Sequence, residues 1–488
     1  MDISSETAEI KVAIQNASEK LKQQQYKAAM DICQEALKTH PDQPDLKIRL
    51  AFANHKLKNY ETAEKLYREL GEHHEQAVIY FNLACVLSDQ KKEDEAIVYY
   101  DKALALDPHH RSSHNNLGNI LRGKNQLEEA IAHFLLIQKD HPEHINSLNG
   151  LGACYASLGK HQKAADYFKK IIEIKPDDYN AHTNLGIELL LMGEFEQGWD
   201  AYAWRFYRPD LKRTFNCPLW EGEALENKRL LIHAEQGAGD VIQFLRYLPH
   251  VKTLGAEIIF ECHKPLYKLC FQQTGIDIVV AKGNKLPKSD YHIPLLGLAQ
   301  LFNTRKDNIL NQVPYIYIDE KKQQKWESYF SSYKKLKVGL VWAGNPEHPN
   351  DKNRSCRLID WLPFLKNQQV DFFSLQKNFG LQQLESLPEK IRITNLDELL
   401  FDYLDTAECV KQLDLIITVD TSVAHLAGAL AKPVWVLLPY VPDWRWMLNS
   451  ESSPWYPTMR LFRQHEIGNW LPVISEVEQA LIMINQSP

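Results

Sequence analysis

The feature that most constrains this chain is a period of 34 residues running through its first half. Small residues recur at Ala29, Ala63, Ala96, Ala130, Ala164 and Gly198, at steps of 34, 33, 34, 34 and 34. Four residues after each stands Cys33, Tyr67, Tyr100, Phe134, Phe168 or Tyr202. Leu83, Leu117, Leu151 and Leu185 keep the same step, and Gly118, Gly152 and Gly186 follow three of them. Pro41, Pro108, Pro142 and Pro176 punctuate the series. Several positions holding one register over six copies mean stacked copies of one supersecondary unit.

The pattern resembles the tetratricopeptide repeat, and six units span residues 10–208. The resemblance implies two antiparallel helices per unit. The small residue lets the helices approach, the aromatic fills the gap toward the next unit, and proline closes the second helix because it cannot continue one. Stacked units make an α-solenoid with a concave face. Such an array serves either as a plain scaffold or as a docking surface for a peptide or protein segment. The sixth unit departs from the rest: GEFEQGWDAYAWRFYRP carries Trp199, Tyr202, Trp204, Phe206 and Tyr207. A terminal repeat ordinarily turns a polar face to water, so this one is expected to be fixed to the next domain.

After residue 210 the period stops. Ten short apolar runs follow: 229–233, 257–262, 276–280, 291–295, 337–344, 370–376, 391–396, 413–419, 433–439 and 459–464. They are continuous rather than alternating, as parallel strands buried on both faces are. Helical stretches lie between many of them, which gives an α/β class with crossover connections. A charged helical segment, 321–337, divides the strands into two groups. The expectation is two Rossmann-like domains, 225–320 and 336–470, and a final helix in 471–488 crossing back to the first of them. Ligands of such folds bind outside the carboxyl ends of the strands, so the polar residues there carry the chemistry.

In HAEQGAGD (233–240) a glycine-rich turn joins a strand to a helix and ends on Asp240. LDLIITV ends at Val419 and runs into Asp420, Thr421, Ser422 and His425. Thr and Ser cap helices well, and the N–H groups of a first helical turn attract anions. The loop after 337–341, LVWAGNPEHPNDKNRS, carries Asn345, Lys352 and Arg354, a composition suited to a diphosphate because Arg grips phosphate through two parallel hydrogen bonds. Ser374 and Gln376 end another strand, placed for a base or ribose. Trp444, Arg445, Trp446, Trp455 and Tyr456 fall on a proline-rich loop that either shapes a sugar or base pocket or plugs the space between domains. An NAD-type turn needs G-x-G-x-x-G, and residues 237–242 read GAGDVI. The net charge of −7 speaks against a nucleic-acid partner, which needs clustered Lys and Arg.

DTSVAHLAGAL and GAGDVIQFLRYLP resemble the donor and N-terminal motifs of glycosyltransferase family 9, the heptosyltransferase-like group with a GT-B fold. The whole chain is similar to a bacterial group in which tetratricopeptide repeats precede such a domain, with GLVWAGNP, SLQ, DWRW and SPWYPTMRLFRQ as recurring signatures. The resemblance implies an inverting, metal-independent transfer from a nucleotide sugar to an acceptor hydroxyl of a protein or glycan. Asp240 falls on the general base. Asn345, Lys352, Arg354, Ser374, Gln376, Asp420, Thr421, Ser422 and His425 fall on the donor side, and Gln236, Gly237, Gly239 and Gln243 on the acceptor side. No cofactor or metal is expected, and no Asp-x-Asp occurs. The competing expectation is an inactive repeat-based interaction module. No run of about 18 apolar residues occurs, MDISSETAEIKV lacks the features of a secretory signal, and the eight scattered cysteines form no C-x-x-C pair. These features read as a cytoplasmic protein with reduced, buried thiols.

Overall fold

The computed structural model describes residues 3–209, 213–319 and 324–486. The chain divides into two compact units, Met1–Pro176 and Asp177–Pro488.

The first unit is all helical. Its helices are Ile3–Lys22, Tyr26–Thr39, Pro44–Lys56, Tyr60–His73, Ala77–Asp89, Glu93–Leu106, Arg111–Gly123, Leu127–Asp140, Ile145–Ser157 and His161–Ile174. The repeating small residues Ala29, Ala63, Ala96, Ala130 and Ala164 are all fully buried. The paired aromatics explain the glycines of the preceding helix. A Cβ on Gly118 would stand 2.8 Å from the Phe134 ring, and one on Gly152 would stand 2.6 Å from Phe168. Gly150, one repeat on, meets the same Phe134 ring, so this ring sets the spacing on both of its sides. The tight turn inside each pair holds one left-handed residue: Gln24, Lys58, Lys91, Asn125 and Gly159. Those at side-chain-bearing residues cost roughly 1 kcal/mol each, which the packing of the two helices outweighs. Helices end two residues before Pro108, Pro142 and Pro176, as proline dictates.

The second unit opens with the sixth helix pair, Tyr179–Met192 and Phe195–Ala203, and a 3₁₀ turn, Trp204–Tyr207. The unit boundary therefore precedes the sixth repeat, whereas the repeat pattern alone runs to residue 208. Leu190, Phe195, Trp199 and Tyr202 share one core with Trp220, Phe244, Trp444 and Trp455. Trp199 meets Trp444 edge to face at 5.2 Å, and its indole N–H donates to the Thr304 carbonyl at 2.9 Å. Arg205, buried between the rings of Tyr202 and Phe206, donates to both oxygens of Glu235 at 2.9 and 3.0 Å. Trp199 and Tyr202 thus fix this repeat to the α/β core as expected, whereas Trp204 stacks on His182 of the same repeat and Tyr207 is exposed.

All ten anticipated strands form, and all pair in parallel. The first sheet holds β1 (Arg229–His233), β2 (Glu257–Cys262), β3 (Ile278–Ala281) and β4 (Tyr291–Pro294) in the order β3-β2-β1-β4. The second holds β5 (Leu336–Val341), β6 (Val370–Ser374), β7 (Ile393–Asn395), β8 (Leu415–Val419), β9 (Val434–Leu438) and β10 (Met459–Arg463) in the order β10-β9-β8-β5-β6-β7. The chain reverses its direction of travel between β5 and β8, as in a doubly wound sheet, the point at which ligands of such folds bind. In the first sheet the reversal falls between β1 and β4.

Two expectations need correction. Of the charged segment 321–337, the described helix is only Gln324–Phe330, because Trp326 and Phe330 are buried there and β5 already starts at Leu336; residues 321–323 lie outside the described residues. The final helix, Leu471–Gln486, does not cross back. Val473, Ile474, Val477 and Leu481 pack with Trp435 and Phe462 of the second sheet and with Phe364 of the short helix Leu362–Leu365.

Truncating Trp199 leaves a large cavity and an unpaired Thr304 carbonyl. Trp199→Ala is expected to destabilise the second unit by about 3–5 kcal/mol, read as a lowered urea midpoint.

Candidate functional site

Each sheet sends a helix out of its reversal point. Helix Ala238–Phe244 follows β1, and helix Ser422–Ala429 follows β8. The two pack directly together, and Gly239 is the closest approach: a Cβ there would lie 2.9 Å from His425 Cδ2. The glycine therefore leaves room for a histidine of the helix that follows β8. His425 stacks on Trp446 at 5.0 Å and shares a 3.0 Å hydrogen bond between Nδ1 and the Tyr456 hydroxyl. Burial, with Arg445 and Arg246 nearby, holds its pKa well below the ordinary imidazole range, so it is neutral.

Asp240 stands at the third position of its helix. Its Oδ2 accepts the Gly237 N–H at 2.7 Å, as half of a capping box. Its Oδ1 forms an ion pair with Arg445, which comes from the turn Trp444–Trp446 after β9. Arg445 is 6% exposed. It also donates to Asp443 at 2.8 Å and to Gln243 Oε1 at 2.7 Å. Burial opposes its charge, but Asp240 and Asp443 outweigh that and raise its pKa. Sequence reasoning placed Arg445 only among loop aromatics; the signal was a charged Asp-x-Arg inside a run of tryptophans.

At the reversal point of the second sheet, Arg354 donates to the Asp420 carbonyl at 3.1 Å and to Asp351 at 3.2 Å. The loop after β5 is thereby tied to the turn after β8. Thr421 occupies the N-cap position, but its side chain makes no capping hydrogen bond. It extends, and its hydroxyl lies 3.1 Å from that of Thr418. Ser422 shares a 2.7 Å hydrogen bond with Tyr403. Burial pushes the Asp420 carboxyl up to about 6, helped by Asp443 and opposed by Trp446, Arg354 and Arg445. Asn345 is exposed, and its side chain accepts the Glu347 N–H; Lys352 is exposed on the same loop.

Four expected ligand residues have other duties. Gln376 is buried with its amide fully committed: it accepts from Trp342 and Ala343 N–H and donates to the Ala343 and Phe379 carbonyls. Ser374 is fully buried and accepts the Gln376 N–H. Both shape the loop after β5 from beneath. Gln243, expected on the acceptor side, is also fully buried and holds Arg445. Gln236 is bound to the Tyr202 hydroxyl of the sixth repeat at 2.7 Å. Gly237 alone of that group is exposed. The aromatic loop resolves as a plug: Trp444, Trp446, Trp455 and Tyr456 are at most 2% exposed. Arg246 crosses the same seam, donating to the Leu310 and Trp455 carbonyls and to Tyr315.

Models described as tetratricopeptide repeat match residues 20–83, 77–110 and 110–177. Residues 20–177 are tetratricopeptide repeats. These repeats end at the unit boundary, so the sixth helix pair lies beyond the matched residues. Over 323 residues the chain is 25% identical to Protein FlbA of Caulobacter vibrioides, covering 60% of this chain and 53% of that protein. The chain thus spans about half the length of this relative. A 60% share exceeds the first unit, so the likeness reaches into the second. Among solved structures, YrrB, described as a TPR protein with an unusual peptide-binding site, is 20% identical over 35% of this chain and 88% of its own, with a TM-score of 0.31. PilF of Pseudomonas aeruginosa is 18% identical over 42% and 93%, with a TM-score of 0.38. No helix among the described residues is long and apolar enough to cross a membrane.

The raised pKa of Asp420 has a measurable sign. Below about pH 4 the carboxyl is neutral in folded and unfolded chains alike, and Asp420→Asn is expected to change stability little. Above about 6 the folded protein holds a disfavoured charge. There the substitution is expected to stabilise by about 1–3 kcal/mol. Urea denaturation at pH 4 and pH 7.5 checks the difference.

Proposed function

We propose that the second unit is an inverting, metal-independent GT-B glycosyltransferase of the family 9 kind. It would move a sugar from a nucleotide sugar to an acceptor hydroxyl, while the tetratricopeptide repeats dock a protein acceptor. The observation that carries the reading is the meeting of two helix starts from the reversal points of two parallel sheets. One bears a carboxylate, Asp240; the other follows the Asp420–Thr421 turn with Arg354 against it. Ligand sites of open α/β sheets lie at such points. In this reading Asp240 takes the acceptor proton. Arg354 and the first-turn N–H groups of helix Ser422–Ala429 stabilise charge growing on the leaving diphosphate. Lys352 and Asn345, on the exposed part of the loop, would meet the donor from the solvent side. The repeats supply the support for a protein partner, since arrays of this kind present extended binding surfaces.

A second reading is favoured by one observation. Asp240 is paired with a buried guanidinium, so its Oδ1 is already occupied. An interaction module that uses the pair only to join its sheets would look the same at this spot.

One set of measurements separates the two. Incubation with a panel of nucleotide sugars is expected to raise the melting temperature for at least one donor and to release its nucleotide when acceptor is present. Asp240→Asn is expected to keep donor binding and to lose turnover at least 100-fold. No shift with any donor sinks the transferase reading; unchanged turnover in Asp240→Asn removes the base. Because an anion beside Asp420 favours its neutral form, donor affinity is expected to fall as pH rises through about 6, as titrations at pH 5 and pH 7.5 would show.

A further inference from the structure

The candidate donor site holds more acid than base. Asp240, Asp351, Asp420 and Asp443 surround two cations, Arg354 and Arg445. A diphosphate entering there meets carboxylates that already occupy both guanidiniums. Resting on the transferase reading above, we propose that Arg445 is a second cation for the donor diphosphate beside Arg354, and that the diphosphate takes the place of Asp240 upon it. The exchange would unmask Asp240 as a base at the moment the donor is seated.

Three observations support this. Arg445 bridges the two sides of the reaction: its guanidinium holds Asp240 on the β1 side and Asp443 on the β9 side. Its partners are acidic and partly open, with side chains 15% exposed at Asp240 and 38% at Asp443, while the guanidinium lies behind them at 7%. The two carboxylates therefore stand between Arg445 and solvent, where an arriving anion meets them first. Third, Gln243 is fully buried, gives its amide oxygen to Arg445 Nε, and leaves its amide nitrogen without a hydrogen-bond partner. A buried donor with no acceptor is costly, and it sits on the side chain that orients Arg445. A phosphate oxygen at this place would satisfy it.

The chemistry balances. With Arg445 on the diphosphate, the Asp240 Oδ1 loses its ion-pair partner and is free to meet the acceptor hydroxyl. It takes the acceptor hydroxyl proton as the oxygen's electron pair bonds to the sugar carbon. The bond from that carbon to the phosphate oxygen breaks, its electron pair stays on the diphosphate, and Arg445 faces the new charge.

A double-mutant cycle tests the exchange with inorganic pyrophosphate and with ADP, UDP, GDP and CDP as probes, binding being read by calorimetry at pH 7.5. Asp240→Asn frees the guanidinium, so at least one probe is expected to bind 5-fold or more tighter than to the native chain. Arg445→Lys, which keeps a charge in the buried position but cannot hold several partners at once, is expected to weaken binding 10-fold or more. In the Arg445→Lys background, Asp240→Asn is expected to give no tightening. Equal tightening in both backgrounds would mean that Asp240 merely repels anions, and it overturns the exchange. So does unchanged binding in Asp240→Asn. Failure of every probe to bind both the native chain and Asp240→Asn overturns the donor-site reading itself, and the exchange with it.

Discussion

The second unit depends on a charge pair that closes a seam. Two parallel sheets present the carboxyl ends of their strands to one another, and Asp240 from one meets Arg445 from the other. Each group is buried enough that losing its partner would cost several kcal/mol. The pair fixes where helix Ala238–Phe244 stands against helix Ser422–Ala429, and so which residues border the reversal points. Around it the seam is apolar: Trp444, Trp446, Trp455 and Tyr456 exclude water. Exclusion strengthens the attraction between the charges.

The sixth repeat belongs to this arrangement. Trp199 supports the turn that carries Arg445 through Trp444, and Tyr202 and Arg205 hold Gln236 and Glu235 on the loop that leads to Asp240. Both members of the pair are thus buttressed by one short helix and the turn after it. A displacement of that helix would reach the two sides of the site together.

The sequence made the architecture legible because both halves are periodic. A 34-residue step registers even when single positions drift, as the slip between Ala63 and Ala96 shows. Continuous apolar runs mark parallel strands because both faces are covered. Strand ends drifted by a few residues, since Trp342 to Gly344 continue the composition of β5 after its ladder has ended. The site was legible only in part. Motif position located Asp240, Asp420 and His425, all of which the fold brings together. Ser374, Gln376 and Gln243 carry side chains suited to ligands, yet the fold uses them on its own backbone and on Arg445. Such partners arise from chain segments far apart in sequence, so local composition does not reveal them. Arg445 was hidden for the converse reason: among five aromatic and proline neighbours it reads as part of a packed loop.

The unit boundary between Pro176 and Asp177 has a consequence for how such chains change over time. In a stacked array each copy depends on its neighbours, so whole copies of the repeat are gained or lost with little effect elsewhere. The sixth copy is exempt, because Phe195, Trp199 and Tyr202 are core residues of the α/β unit. The array ahead of it is free to lengthen or shorten in steps of one repeat. The terminal copy stays behind as a fixed adapter.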